Sequence, residues 1–573
     1  MRRRKVWRVY PERPELVQKL SARHGLPPLI ARLLLNRGVT GEKDVSAFLS
    51  PTLDRLHSPF GLPGLKEAAA RLARAVRQRE PLAVYGDYDA DGLTAAALLV
   101  QFFQELGCPC LPYIPNRLTE GYGLNRGALG ELARQCRLVV TVDCGVSDRE
   151  EVAWAREQGL EVIITDHHEL PPELPPALAV VNPKTGGEAY PFPFLAGVGV
   201  ALLLALGVRA CLREEGWFKT RPEPNLAAYL DLVALGTAAD VVPLQGENRI
   251  LVRQGLKTLE DTRRPGLLAL KETVGLNRKA VTLRDLVFRL APRLNAAGRL
   301  GQARGALELL LATDLTQARV QARVLNELNR QRQALEEEVL QEALDLIRRR
   351  GLERRPVLVL GREGWHPGVL GIAAARLAEE FHRPVALVSL EGGLGKASAR
   401  SIEGFHLFQG LYQCRRHLLK FGGHEAAAGF SLAAENLEAL QTALEEAFHA
   451  QVGSHPPPPT LKVDAHIKLP ELDQDFYHHL ELLRPFGPGN PEPVFVSSGV
   501  DCLSSRVVGE RHLRLQLAQD GVVREAIAFD QGNLHPLSGP LEIAYSTRFS
   551  SFNGTLTPEV RLLDLTRPSG QKG

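Results

Sequence analysis

Three short segments rich in Asp and His each follow an apolar run. Gly86-Asp87-Tyr88-Asp89-Ala90-Asp91-Gly92 comes after Leu82-Ala-Val-Tyr. Asp143-Cys144-Gly145 comes after Leu138-Val-Val-Thr-Val. Asp166-His167-His168 comes after Leu160-Glu-Val-Ile-Ile-Thr. A fourth segment, Gly236-Thr-Ala-Ala-Asp240, follows a helical stretch. Carboxylates gathered at one place repel each other unless cations neutralise them. Carboxylates mixed with imidazole suit Mn²⁺ or Mg²⁺ better than a thiolate-seeking metal. Two such ions sharing a carboxylate lower the pKa of a bound water and hold both oxygens of an in-line phosphoryl displacement. The residues therefore point to metal-assisted hydrolysis of a phosphate ester or anhydride.

Each segment alone has an ordinary reading. The D-x-D-x-D-G run resembles a calcium loop, but that loop needs Glu six positions past the Gly, and position 98 is Leu. Asp143 could be a turn residue, the His pair could be packed, and Asp240 could cap a helix. Four such segments at the ends of successive βα units outweigh these readings.

The elements that must bring them together are legible. The apolar runs 82–85, 138–142, 160–165 and 178–181 read as strands. Stretches 95–103 and 147–158 read as helices, the second capped by Ser147 or Asp148. Continuous apolar strands alternating with helices predict a parallel sheet covered on both faces. In such a sheet all carboxyl ends share one edge, where ligands bind.

The 573 residues carry 69 Lys+Arg and 66 Asp+Glu, a net charge of +3, with 44% hydrophobic residues. That excludes a disordered or fibrous chain. It also excludes a general electrostatic affinity for nucleic acid, so a polyanion must be held in a local groove. Seven cysteines without C-x-x-C spacing exclude a zinc ribbon and fit reduced thiols. The longest apolar stretch, Gly197 to Val208, is too short to span a bilayer. The basic N-terminus has no apolar run behind it. The expectation is a soluble, cytoplasmic protein without a membrane role.

Five parts are expected: a helical lead-in over 1–65, a catalytic α/β domain over 66–310, a connecting helix over 311–350, a second α/β domain over 351–452, and a β-barrel over 460–565. The helix reads as a bridge with Leu325, Leu328, Leu335, Val339 and Leu346 on one stripe. Pro456-Pro-Pro-Pro marks a stiff linker. His512-Leu-Arg-Leu-Gln-Leu alternates as a barrel strand should.

The second α/β domain carries three phosphate-binding signals. Gly422 and Gly423 flank His424 in a segment that would let backbone N–H groups approach an anion. Ser398-Ala-Arg400-Ser401 offers hydroxyls and a forked guanidinium. Trp365-His366-Pro-Gly places a polar residue in a Gly-punctuated turn. Arg293, Arg299 and Arg304 precede the connecting helix and could line a strand's path.

These motifs are similar to those of the DHH phosphoesterase superfamily, and within it to the RecJ-type exonucleases. Val84-Tyr-Gly-Asp-Tyr-Asp-Ala-Asp-Gly92, Val142-Asp-Cys-Gly145, Asp166-His167-His168 and Asp231 to Asp240 resemble the successive catalytic motifs. Pro292-Arg-Leu-Asn-Ala-Ala-Gly-Arg-Leu300, Gly422-Gly-His-Glu-Ala-Ala-Ala-Gly429 and Phe486-Gly-Pro-Gly-Asn-Pro-Glu-Pro-Val-Phe495 extend the resemblance over nearly the whole chain. It implies a DHH domain, a DHHA1-type domain and an OB-like barrel. Asp89 would hold one metal and Asp91 the other, Asp143 would bridge them, and His167 and Asp240 would complete the second site. His168 would orient or touch phosphate, and Asp87 would be a ligand or a support. Tyr85 stands where small phosphatases of the superfamily have a metal-binding His. Arg299, His366, Ser398, Arg400, Gly422, Gly423 and His424 would hold substrate phosphates.

The implied activity is 5′→3′ digestion of single-stranded DNA to mononucleotides with Mn²⁺ or Mg²⁺, in repair and recombination. The implied form is a monomer working beside single-strand-binding protein. Phe486, Phe495, Arg506, Arg511 and Arg514 are barrel candidates for the strand, and Phe486 and Phe495 could equally be core. Two alternatives stand: a DHH phosphodiesterase of short oligonucleotides or cyclic dinucleotides, and a metal-free scaffold that binds DNA without cutting it.

Overall fold

The computed structural model describes residues 5–187, 190–276, 280–552 and 555–567. They form two compact units, one built from Ser58–Asp240 and Gly255–Pro459, the other from the segments up to His57, Val241–Gln254 and Thr460 onward.

The first unit begins with a five-stranded, all-parallel sheet in the order Cys110–Tyr113, Leu82–Gly86, Leu138–Val142, Glu161–Thr165, Ala179–Val181. The two strands Leu82–Gly86 and Leu138–Val142 are buried throughout, which is why they read as unbroken apolar runs. Chain order reverses between them, so the sheet opens a crevice at their carboxyl ends. The expected strands are present, and Cys110–Tyr113 adds a fifth at the edge. The helix after the first acidic segment spans Ala90–Glu105, longer than the 95–103 expected, because Asp89 caps it directly. The helix Arg149–Glu157 is preceded by Asp148, but neither Asp148 nor Ser147 caps it as expected. Asp148 instead accepts the backbone N–H of Leu124 at 2.7 Å.

The long helix spans Leu315–Arg350, capped by Asp314 at Gln317 N and ended by Gly351 at φ 63°. Its first half buries Ala318, Ala322, Leu325 and Leu328. Its second half, Val339 to Ile347, forms one core with Leu358, Leu360, Trp365 and Leu370 of the second α/β region. Of the expected stripe, Leu335 and Leu346 are only partly buried. The second sheet runs Lys420–Gly423, Ala427–Ala433, Leu394–Arg400, Val385–Glu391, Leu358–Glu363; only the last two strands are parallel.

In the second unit, five strands (Phe495–Val508, His512–Gln519, Val522–Ala528, Thr555–Thr566, Gly539–Phe552) pair in sequence, and the first also pairs with the last. That closes a barrel, which removes free sheet edges. Leu513, Leu515 and Leu517 point inward, as their alternation predicts. The helices Pro14–His24, Pro28–Asn36 and Glu42–Leu49 share one core with the barrel interior. Arg249 lies fully buried there, donating to the carbonyls of Phe48, Leu483 and Arg484 at 2.9–3.1 Å.

Candidate active site

The four acidic segments meet at the crevice. Asp87 follows the strand Leu82–Gly86, Asp143 follows Leu138–Val142, and Asp166-His167-His168 follows Glu161–Thr165. Asp240 ends the helix Leu230–Ala239. Ligand atoms of Asp87, Asp89 and Asp143 lie within 4.8 Å of one another, as do those of Asp91, His167 and Asp240, and those of Asp143, His167 and His168. All the residues expected to handle metal fall in this one cluster. Asp143 adopts φ 62°, a left-handed conformation uncommon outside Gly, with Gly145 at 107° two residues on. This turn re-aims the Asp143 side chain from the strand end into the crevice.

Fixed partners hold these side chains. Asp89 Oδ1 accepts from Asp91 N at 2.9 Å and Gly92 N at 3.1 Å. Asp91 accepts from Gly197 N at 2.6 Å and Val198 N at 2.9 Å, the amino end of the helix Gly197–Glu214. A side chain at position 197 would meet Asp143 Cβ at 2.7 Å, so only Gly allows this approach. Asp166 serves as an organiser rather than a ligand. Its Oδ1 accepts from His167 N at 2.7 Å, His168 N at 3.1 Å and His168 Nδ1 at 2.7 Å, and its Oδ2 accepts from Val146 N at 3.0 Å. The His167 ring hydrogen-bonds the backbone of Leu195, which leaves Nε2 for the crevice.

The electrostatics are those of a cation site. Burial, then neighbouring carboxylates, push Asp87 and Asp143 well above the ordinary carboxylate range. Asp91 is pushed up to about 7 and Asp240 to about 9 for the same reasons. Burial and the adjacent His168 hold His167 down to about 3, which keeps its imidazole neutral. Burial alone would lower His168, but its hydrogen bond to Asp166 carries it above its ordinary value. Four buried atoms here, Asp87 Oδ1, Asp143 Oδ1, His167 Nε2 and Asp240 Oδ2, have no hydrogen-bond partner. An unpaired buried polar atom costs about 1–3 kcal/mol. Oxygen donors with a neutral imidazole fit hard divalent ions.

Beside the cluster lies a cavity of about 330 Å³ lined by Arg117, Lys396, Ser398, Arg400, Gly423 and Gly429, among others. Arg400 donates to Ser398 Oγ at 3.2 Å. Arg299 is half-buried near Asp89 and lowered to about 10, by burial first and then by Arg117, Arg332 and Arg400; it donates to Gly368 O at 3.2 Å. His366 is half-buried, and its Nδ1 accepts from Gly368 N. Gly422 and Gly423 lie in the edge strand Lys420–Gly423 rather than in an open loop, since they pair with Gly429 and Ala428. Gly423 lines the cavity, whereas His424 is exposed at the hairpin tip. Arg293 is tied to Asn326 at 3.0 Å and Arg304 to Glu308 at 3.0 Å, so of the three arginines before the long helix Arg299 alone lies near a metal-site carboxylate. Sequence reasoning missed Arg117 and Tyr122, carried by the segment between Cys110–Tyr113 and the helix Arg126–Ala133. Arg117 stacks over Tyr88 at 5.2 Å, and Tyr122 O–H lies 3.2 Å from His168 Nδ1. The glycines at 121 and 123 around Tyr122 were the available signal.

Known proteins resemble this chain over most of its length. Residues 81–237 match the DHH family N-terminal domain, 354–450 the DHHA1 domain and 463–564 the RecJ OB domain. The single-stranded-DNA-specific exonuclease RecJ of Bacillus subtilis is 35% identical over 566 residues, covering 97% of this chain and 70% of that protein. The chain belongs to the RecJ family. The solved structure of Thermus thermophilus RecJ with Mn²⁺ superimposes at TM-score 0.85 and 35% identity, covering 100% of this chain and 81% of that one. The same protein with Mg²⁺ gives 0.77 and 34%, covering 100% and 80%.

In this RecJ-family chain the barrel decides between two readings of its aromatic residues. Phe495 is fully buried against Phe476 and Tyr545, so it is core and no stacking platform. Phe486 is partly buried against the same core. Arg511 pairs with Asp530 at 3.2 Å and Arg514 with Glu525 at 3.1 Å. Among the described residues Phe529 offers an exposed ring, edge-on to His512 at 5.1 Å and under Arg561 at 5.4 Å. Arg506, Arg514, Ile527 and Arg561 are register partners across four adjacent strands.

Proposed function

We propose that this chain is a metal-dependent hydrolase that digests single-stranded DNA from its 5′ end to mononucleotides, in repair and recombination. The observation that carries the reading is the set of four unpartnered buried atoms on Asp87, Asp143, His167 and Asp240. Asp89, Asp91, Asp143, His167 and Asp240, with Asp87 beside them, would hold two Mn²⁺ or Mg²⁺ ions, which supply Lewis acidity and lower the pKa of an attacking water. Asp166 keeps His168 oriented and favours its protonated form, which suits it to face developing negative charge. Arg299, beside Asp89, takes charge from the scissile phosphate. The cavity lined by Arg117, Lys396, Ser398 and Arg400 takes a further phosphate, and Arg400 with Arg117 suits forked recognition. Seating the terminal phosphate there would set the distance from the strand's end to the cut.

Strand binding along the barrel would serve a long substrate and has no use for a dinucleotide. The complete ligand set argues against a metal-free scaffold. The same reading has the chain act as a cytoplasmic monomer beside single-strand-binding protein. No helix among the described residues is long and apolar enough to cross a membrane. The test is time-resolved digestion of a single strand labelled at one end, with Mn²⁺, Mg²⁺ or chelator. Mononucleotides released in order from the 5′ end support the proposal. Release from the 3′ end, or cutting in chelator, overturns it.

A further inference from the structure

The segment from Asn116 to Leu124 lies on the surface beside the crevice, yet it is fastened at every turn. Glu120 holds its first part. Its Oε2 accepts from Asn116 N at 2.6 Å, and its Oε1 accepts from Tyr113 O–H at 2.7 Å and Asn125 Nδ2 at 2.9 Å. Glu120 N and Gly121 N in turn donate to Asn116 O at 2.8 and 3.3 Å. Arg117 therefore sits in a turn closed from both sides by one carboxylate and one carbonyl. The Asn116 side chain ties this turn to Gly301 O at 3.1 Å.

The second part is held by residues of the sheet. Tyr85 O–H donates to Gly123 O at 2.9 Å and accepts from Asn125 Nδ2 at 3.2 Å. Asp148 accepts from Leu124 N at 2.7 Å, and its carboxylate lies where a side chain at position 123 would be, 2.5 Å from an added Cβ. Tyr85 stacks on Tyr113 at 5.1 Å, so two strand residues that anchor the segment support each other. Tyr85 thus spends its hydroxyl on the segment and takes no part in the metal cluster.

What the segment presents is functional on the reading above, on which this inference rests. Arg117 lines the anion cavity, and Tyr122 reaches His168. We propose that Glu120 is a positioning residue. Its three hydrogen bonds fix the turn that aims Arg117 into the anion cavity, and so set how strongly the enzyme selects a strand ending in phosphate. Charged acceptors with several donors hold geometry well because each bond is charge-assisted. A misplacement of about 1 Å in a positioning group costs about 100-fold in rate.

The experiment compares kcat/KM on a 5′-phosphorylated and a 5′-hydroxyl oligothymidylate with Mn²⁺, for the full-length chain and for Glu120→Ala, Glu120→Gln and Arg117→Ala. The wild type should favour the phosphorylated strand. Glu120→Ala should remove most of that preference, with about a 100-fold loss on the phosphorylated strand, little change on the hydroxyl strand and unchanged Mn²⁺ affinity. Glu120→Gln, which keeps one acceptor, should fall between, and it carries the test if Glu120→Ala fails to fold. Equal losses on both strands in the Glu120 variants, or an intact preference, overturn the proposal. If Arg117→Ala also keeps the preference, the reading of the cavity as a phosphate seat fails instead.

Discussion

Asp143 Oδ1 lies 3.1 Å from His167 Nε2, and neither atom is satisfied by a hydrogen bond. Two lone pairs face each other across a gap that a shared cation would close. Asp143→Ala should therefore abolish cleavage, by at least about 10³-fold, as expected when a bridging metal ligand is lost. Strand binding measured in chelator should stay near wild type. Cleavage at a comparable rate would remove Asp143 from the bridging position.

Stability and metal affinity should depend on pH in opposite senses. Asp91 at about 7 and Asp240 at about 9 both stand above their ordinary value of 3.8, through burial and neighbouring carboxylates. Their folded values exceed their unfolded values, so the metal-free folded state binds more protons between about pH 4 and 9. Its melting temperature in chelator should rise as pH falls from 9 to 5. Mn²⁺ must displace those protons, so its affinity should climb as pH rises, about tenfold per pH unit for each proton released. Calorimetry in buffers of different ionisation enthalpy counts the protons. A flat affinity profile contradicts the assignment.

Arg400→Ala should raise KM and lower kcat/KM by about 10- to 100-fold while Mn²⁺ affinity is unchanged, because a buried charged hydrogen-bond donor to phosphate contributes about 1.5–3 kcal/mol. Unchanged kinetics would move the phosphate seat elsewhere.

Gly298 backs against the first metal-binding segment: an added Cβ would stand 2.3 Å from Tyr88 O. Gly298→Ala must displace either the helix Ala291–Arg299 or that segment, where Asn295 Oδ1 accepts from Ala90 N at 2.8 Å. The expected result is a loss of about 1–3 kcal/mol in stability, with kcat falling as well. Thermal unfolding with steady-state kinetics checks it.

On the barrel, Phe529→Ala should weaken binding of a long single strand by about 10-fold, the scale of one lost base–aromatic stack, and leave cleavage of a trinucleotide unaltered. Fluorescence anisotropy on a 30-mer decides it, and equal affinity would take Phe529 off the strand's path.

The metal cluster was legible because parallel-sheet topology sends every strand end to one edge, so Asp87, Asp143 and His167 had to converge once their strands were recognised. Arg117 was not, because its segment has no periodicity and its value comes from one local anchor, Glu120, and two distant ones, Tyr85 and Asp148. Phe495 and Phe529 show the same limit in the barrel. Both are aromatic residues at strand ends, and only closure of the sheet decides which faces inward. The strand Val6–Val9 escaped notice in a stretch read as helical, because its partner, Thr460–Val463, lies at the far end of the chain.

That pairing, with the shared core of the early helices and the barrel, bears on biosynthesis. Leu20, Ile30 and Phe48 leave the ribosome well before the side chains that enclose them, from Ala465 to Leu562. The nascent early helices must wait, with apolar faces uncovered, until the barrel strands have been made. A carboxy-terminal fragment expressed alone would lack the other half of its interior.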